Sequence, residues 1–427
     1  MLSTASCDQL LALVPTTIDS AAHCLPPYNS GMAKSWKTRL IHSDVKVPEG
    51  YRSLASPVYR GSTTLFADAA SVEDGWDQYE MGYTYGLYGT PTTLELAGKI
   101  CELEKGYRTI ITPGGQGAIS LINLALLKSG DHILIPENVY TPNRQLARNV
   151  LRRFGVDAVF YHPEVGGGIR DLLRENTRLV WCENPGSITM EVQDVPAIAE
   201  AAHARGALLV LDNTWAAGVF FDAFAHGVDI TMQALTKYVG GHSDLLMGSV
   251  TVKDPNLYQQ LGATQQLLGA AASPDDCSLA LRGMRTMAVR LKHIEASALQ
   301  IARWLAARPE VDRVLHPALE GSPGHEIWKR DFTGSAGVFS IVFKPAASKA
   351  EVLQFVDELE LFKIGYSWGG VTSLAVAYDF GRSKGRPDYG HRIVRLNVGL
   401  EDPQDLIEDL ENSLSKVWAS APNGTGD

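Results

Sequence analysis

The sequence is poor in several features, and each shortage excludes a class of protein. Its 427 residues carry 38 basic against 48 acidic side chains, a net charge of −10 without any basic tract. We therefore expect no nucleic-acid partner. No uninterrupted apolar run reaches the roughly 20 residues that a membrane helix needs. The longest candidate, residues 110–127, is broken by Pro113 and several glycines, so we expect no membrane anchor.

Cysteine and histidine are scattered. The five cysteines lack CxxC spacing and the eleven histidines form no HExxH or paired cluster. This favours a reducing, cytoplasmic setting and predicts no metal site. The first 31 residues contain no Lys or Arg, unlike a secretory signal or a mitochondrial leader. We predict that residues 1–33 form a disordered extension.

Short apolar runs alternate with amphipathic stretches along most of the chain. This alternation predicts an α/β fold whose largely parallel sheet is covered on both faces. The pattern changes beyond about Met284, where a long helix to Ala307 precedes strands at 338–343 and 393–398. We interpret this part as a smaller α/β domain packed on the first.

Three polar segments follow predicted strands, where ligands bind to such sheets. Gly115 and Gln116 lie in a glycine-rich turn before a helix, which can offer backbone N–H groups to a phosphate. The turn matches neither a Walker loop nor a dinucleotide fingerprint. Asp212 ends the strand 207–211, and Lys237 follows an apolar run. Alone, the acid can be a turn cap and the lysine a surface residue. Together they supply the amine and the acid that pyridoxal phosphate requires.

Several longer segments resemble the pyridoxal-phosphate-dependent enzymes of cysteine and methionine metabolism. These segments, within a resemblance that covers about residues 38–417, are 83–86, 183–191, 212–218, 236–238, 324–334, 366–370 and 395–402. Within that family, 215–218 and 366–370 are similar to the β-lyases rather than to the γ-synthases and γ-lyases.

The resemblance implies a fold-type I architecture. Its parts would be an N-terminal arm that contacts a neighbouring subunit (34–89), a cofactor-binding large domain with a mostly parallel seven-stranded sheet (90–283), and a C-terminal α/β domain (284–427). The resemblance further implies that a dimer is the smallest catalytic unit, and we expect a tetramer.

The resemblance also implies roles for individual residues around the cofactor. Lys237 would carry the cofactor and move protons, and Asp212 would keep its pyridine nitrogen protonated. Thr236 would join Gly115 and Gln116 in binding the phosphate.

Two tyrosines complete that implied site. Tyr140 would stack on the cofactor ring, and Tyr85 would reach the phosphate of the neighbouring subunit. One departure from the family is Leu87, where relatives usually have an arginine. Arg60 lies nearby in sequence and is a candidate to replace that charge.

Arg395 matches the family arginine that takes the substrate α-carboxylate. It lies in a predicted strand between Val394 and Leu396, a costly place for a charge without a function. Ser367 and Trp368 would line the same pocket. The implied activity is that of a carbon–sulfur lyase: β-elimination of L-cystathionine to L-homocysteine, pyruvate and ammonia, a step towards methionine. Cystine or another cysteine S-conjugate remains an alternative substrate, and γ-lyase or γ-synthase chemistry an alternative reaction.

Overall fold

The computed structural model describes residues 35–41, 53–380 and 388–418. The predicted extension at residues 1–33 lies outside the described residues. The helices are α1 (Trp36–Arg39), α2 (Gln78–Met81), α3 (Pro91–Glu104), α4 (Gly115–Leu126), α5 (Thr141–Asn149), α6 (Val195–His203), α7 (Pro255–Leu268), α8 (Pro274–Ala306), α9 (His325–Asp331), α10 (Lys349–Asp357) and α11 (Pro403–Trp418). None of these helices is long and apolar enough to cross a membrane.

The larger sheet has seven strands: β1 (Arg108–Thr112), β2 (His132–Pro136), β3 (Asp157–Tyr161), β4 (Thr177–Glu183), β5 (Leu208–Asp212), β6 (Ile230–Ala234) and β7 (Gly248–Val252). Their order is β1-β7-β6-β5-β4-β2-β3. Four of the six pairings are parallel, and β7 runs antiparallel to both of its neighbours. This confirms the mostly parallel seven-stranded sheet that we predicted.

Both faces of this sheet are buried. Successive side chains of a strand point to opposite faces, so each strand contributes to two cores. In β4, Leu179 and Trp181 pack into one apolar core, whereas Val180 and Cys182 pack into another. All four are fully buried. Such double coverage explains why the strands read as short continuous apolar runs in the sequence.

The smaller sheet has five strands: β8 (Val311–Leu315), β9 (Val338–Phe343), β10 (Lys363–Ile364), β11 (Leu374–Tyr378) and β12 (Ile393–Asn397). Their order is β10-β11-β12-β9-β8, and the short β10 is parallel to β11 while the other pairs are antiparallel. With its helices this sheet forms the predicted C-terminal α/β layer.

The two layers share helix α8. It begins at Pro274, well before Met284, because the Ser273 hydroxyl accepts the backbone N–H groups of Asp275 and Asp276 at its N-terminus. Leu291 and Ile294 of this helix pack into the core beneath the large sheet. Farther along, Ala298, Ile301 and Leu305 pack into the core of the small sheet. The boundary at residues 283 and 284 therefore falls inside one continuous helix.

Candidate active site

The carboxyl ends of β4, β5 and β6 bring polar side chains to one edge of the large sheet. Glu183, the last residue of β4, is paired in register with Asp212, the last residue of β5. Asp212 is in turn paired with Met232 of β6. Lys237 lies three positions beyond Ala234, the last residue of that strand. The predicted strand-end placement of Asp212 and Lys237 is thus what the structure shows.

The turn before α4 forms a cradle for an anion. Gly114 has φ 89°, and no side chain caps the helix that begins at Gly115. A Cβ at Gly115 would come within 2.7 Å of the Cβ of Ala234, so this turn packs directly on the end of β6 and has no room for a side chain. The backbone N–H groups at this N-terminus, those of Gly115 and Gln116 among them, are the donors that an anion can reach. An uncapped helix N-terminus with this access fits a phosphate.

Asp212 is oriented by its neighbour. Its Oδ1 accepts hydrogen bonds from the backbone N–H of Thr214, at 3.0 Å, and from the Thr214 hydroxyl. No residue that the structure describes donates to Oδ2. Burial raises the pKa of Asp212, while the Thr214 hydrogen bonds and Lys237 oppose that rise. One oxygen therefore remains for a cationic ring nitrogen, which suits pyridoxal phosphate.

The side chain of Lys237 is partly buried. Its Nζ donates to the hydroxyl of Ser367 at 2.5 Å and lies 5.3 Å from the ring of Trp368. Burial and the charge of Arg395 lower the pKa of Lys237 to about 8, against the opposing effect of Asp212. With this pKa roughly a tenth of the amine is neutral, and nucleophilic, at pH 7, far more than for an ordinary lysine.

The guanidinium of Arg395 is buried with few partners. The residue is 7% exposed, and its hydrogen bonds are long contacts of 3.5 Å to the carbonyls of Ser187 and Ser367. Its centre lies 5.4 Å from the ring of Tyr378, and burial lowers its pKa. No Asp or Glu of the described ranges lies within ion-pair distance of it. A buried cation with uncommitted donors is suited to receive a carboxylate.

Tyr140 and Thr236, which are both predicted to contact the cofactor, also make hydrogen bonds within the protein. Tyr140 is 43% exposed, and its backbone N–H donates to Oε2 of Glu183 at 2.6 Å. Burial, and then the negative charge of Asp212, raise the pKa of its hydroxyl, and its stacking on the cofactor ring stays a prediction. The hydroxyl of Thr236 instead contacts Met247, donating to its carbonyl at 3.2 Å and accepting its N–H at 3.0 Å. Its contact with a phosphate stays a prediction.

Tyr85 is not brought to this site within one chain. The residue is 45% exposed, and its ring packs edge-on against Tyr88 at 6.0 Å. Arg60 makes an exposed ion pair with Asp275, with contacts of 2.9 and 3.0 Å, which is weak enough to be exchanged for another partner. Leu87 lies two residues after Tyr85 in the same segment, and the roles of Tyr85 and Leu87 at a neighbouring subunit stay predictions.

Sequence reasoning missed Glu183, Ser187 and Tyr378. Glu183 carries the same signal as Asp212, an acid that ends an apolar strand, and its segment was noted without a role. Tyr378 lies in β11, two residues beyond Val376, which is paired with Arg395. Its side chain therefore lies on the face of Arg395, but no local pattern marks it.

Known proteins are similar to this chain over most of its length. Residues 37–415 match the family described as Cys/Met metabolism PLP-dependent enzyme. A putative cystathionine beta-lyase of Rhizobium johnstonii is 43% identical over 90% of this chain and 96% of its own length. Cystathionine beta-lyase MetC of Escherichia coli is 38% identical over 90% and 99%.

A solved structure, cystathionine gamma synthase of Xanthomonas oryzae pv. oryzae, matches with a TM-score of 0.82 and 28% identity over 91% of this chain and 100% of that one. The family match covers most of the chain, and the cradle, the acid and the lysine all fit the same group. The chain belongs to the pyridoxal-phosphate-dependent enzymes of cysteine and methionine metabolism, and pyridoxal phosphate is its cofactor.

Proposed function

We propose that this protein is a carbon–sulfur lyase that cleaves L-cystathionine by β-elimination to L-homocysteine, pyruvate and ammonia. One observation carries the proposal. Ser367 contacts the amine of Lys237 through its hydroxyl and the guanidinium of Arg395 through its carbonyl. A proton-moving amine and a carboxylate receptor therefore lie on either side of one residue, as an α-amino acid substrate requires.

Each group then has a defined task. Arg395 binds both oxygens of the substrate α-carboxylate in one plane, which directs the Cα–H bond towards Lys237. The neutral amine of Lys237 takes the Cα proton and later gives a proton to the departing sulfur. When bound, pyridoxal phosphate supplies the electron sink for these bond cleavages. Water completes the balance, since cystathionine and water yield homocysteine, pyruvate and ammonia.

The remaining residues hold the cofactor. Gly115 and Gln116 would donate backbone N–H groups to the phosphate, and Thr236 would donate its hydroxyl after leaving Met247. Asp212 would bind the ring nitrogen through Oδ2, and Tyr140 would lie against the ring. Trp368 would line the substrate pocket.

We further propose that the catalytic unit is a dimer, within a tetramer, in which Tyr85 of each copy completes the site of the other. Tyr85 is exposed in the single chain, which leaves its ring available to another copy and supports this assignment. The buried Cys101, Cys182 and Cys277 are free thiols, which suits a cytoplasmic setting.

The reaction is tested with purified holoenzyme and L-cystathionine. We expect pyruvate and homocysteine in equal amounts, whereas 2-oxobutyrate and cysteine would assign γ-cleavage and contradict the proposal. Comparing kcat/KM for cystathionine, cystine and an S-alkyl cysteine then ranks the thioethers. The similarity to cystathionine beta-lyases favours cystathionine as the substrate. A higher kcat/KM for an S-conjugate would change the proposed substrate but leave the proposed β-elimination unchanged.

A further inference from the structure

Glu183 is a buried carboxylate at the site that the proposed reaction does not use. It is 8% exposed and lies opposite Asp212 across neighbouring strands. Its Oε2 accepts the backbone N–H of Tyr140 at 2.6 Å. This bond joins the end of β4 to the residue that precedes α5, 43 positions earlier in the chain.

The loop after Glu183, residues 184–191, packs along the segment that carries Tyr140. The backbone N–H of Ser187 donates to the carbonyl of Asn138 at 3.0 Å, and the Asn138 amide donates to Glu191 at 3.1 Å. A Cβ at Gly186 would come within 2.1 Å of the Asn138 side chain. The two segments are therefore in direct contact with no space for a larger residue.

The other side of the 184–191 loop contacts the small sheet. The carbonyl of Ser187 accepts from the Arg395 guanidinium at 3.5 Å. The carbonyl of Ile188 accepts from the hydroxyl of Ser340, in β9, at 2.7 Å. One short loop thus links the segment of Tyr140 to Arg395 in the small sheet.

We propose that Glu183 is a positioning residue: its buried carboxyl group anchors the Tyr140 segment to the 184–191 loop and so fixes Tyr140 relative to Arg395. The proposal rests on the roles given above to those two residues. Glu183 itself needs no contact with the substrate for this task.

To hold the Tyr140 segment, Glu183 needs only an oxygen that accepts a hydrogen bond. Burial, and then the negative charge of Asp212, raise the pKa of Glu183 well above its usual range, while the Tyr140 N–H and Arg395 oppose that rise. The neutral acid keeps a carbonyl oxygen that can accept from Tyr140. Because an amide offers the same oxygen, Glu183→Gln should preserve the anchor, whereas Glu183→Ala should remove it.

The test uses holoenzyme of the wild type, of Glu183→Ala and of Glu183→Gln. Asp409→Asn is the matched control, because Asp409 is also a buried carboxylate that accepts backbone N–H groups, those of Glu360, Leu361 and Phe362, but lies in the small domain. The first readout is the visible circular dichroism of the bound cofactor, which reports the asymmetry of its surroundings. The second is the division of any kinetic effect between kcat and KM.

We expect Glu183→Ala to lose at least half of the visible dichroism per bound cofactor and to raise KM about tenfold, as loss of one buried hydrogen bond suggests. Glu183→Gln should stay within about twofold of wild type, and Asp409→Asn should leave both readouts unchanged. Wild-type dichroism in Glu183→Ala would overturn the proposal. Equal losses in the Ala and Gln variants would also overturn it, because charge rather than an acceptor oxygen would then be required. The dichroism is independent of which thioether is cleaved, so failure here is distinct from failure of the proposed reaction.

Discussion

Replacement of Arg395 by leucine separates its role in binding from any role in folding. The guanidinium is 7% exposed and makes only 3.5 Å contacts to two carbonyls. Its donors are therefore available to a substrate carboxylate. Loss of such a charge-assisted, two-pronged contact costs roughly 2–4 kcal/mol, which corresponds to about one and a half to three decades in kcat/KM.

The same change should not destabilise the protein. Burial lowers the pKa of Arg395, against the opposing effect of Tyr378 and Glu183, as expected for a charge that is costly to keep out of water. Removing a buried charge that has no ionic partner in the described ranges also removes the cost of keeping that charge out of water. We therefore expect the Tm of Arg395→Leu to equal or exceed that of the wild type.

The assay measures pyruvate release against L-cystathionine concentration for the wild type, Arg395→Leu and Arg395→Lys, together with Tm and the absorbance of bound cofactor. Lysine keeps the charge without the planar fork, so Arg395→Lys should fall between the other two. The loss in Arg395→Leu should reside mainly in KM with the cofactor still bound. Unchanged kcat/KM would place the carboxylate site elsewhere, and a loss accompanied by a lower Tm would refute the separation of binding from folding.

Three further outcomes concern the cofactor. Lys237→Ala should abolish both turnover and covalent retention of the cofactor, measured as pyruvate release and as absorbance after dialysis; near-wild-type rates would contradict the assignment. The rate at which cofactor-free protein takes up pyridoxal phosphate should rise with pH, with a midpoint near 8. The reason is that the pKa of Lys237 is lowered to about 8 and only the neutral amine is nucleophilic. An uptake rate that does not change between about pH 7 and about pH 9, roughly one unit on each side of the midpoint, would contradict the lowered pKa. Leu87→Arg should slow cofactor loss on dialysis, since a charged donor contributes about 1.5–3 kcal/mol against about 1 for a neutral one. Unchanged loss from a folded dimer would mean that another cation already serves there, which a double-mutant cycle with Arg60 would test.

Local sequence patterns predicted the parts of the site that obey a general rule of parallel sheets. Gly115, Asp212 and Lys237 each follow a short apolar run, and ligands bind at the carboxyl ends of such strands. The fold class followed from the same alternation of apolar runs and amphipathic stretches. For these residues the sequence neighbourhood contains the necessary information.

Contacts between distant segments were beyond such reasoning. The bond from Lys237 to Ser367 spans 130 positions, and the bond from Tyr140 to Glu183 spans 43. No periodicity links such pairs, because they depend on how two layers pack. The hydrogen bonds of Thr236 with Met247 depend equally on β7 returning antiparallel beside β6. The start of α8 was missed because its first turn carries acidic residues, whereas its apolar periodicity becomes clear only later.

The continuity of α8 has a consequence for how the protein loses its structure. At 33 residues the helix is about 50 Å long. Its apolar side chains complete two cores in succession. If either layer unfolded alone, part of this helix would expose its apolar face to water, at a cost that grows with the area uncovered. The two layers should therefore melt as one cooperative unit, and a fragment cut near residue 283 should be an aggregation-prone species rather than an independent domain.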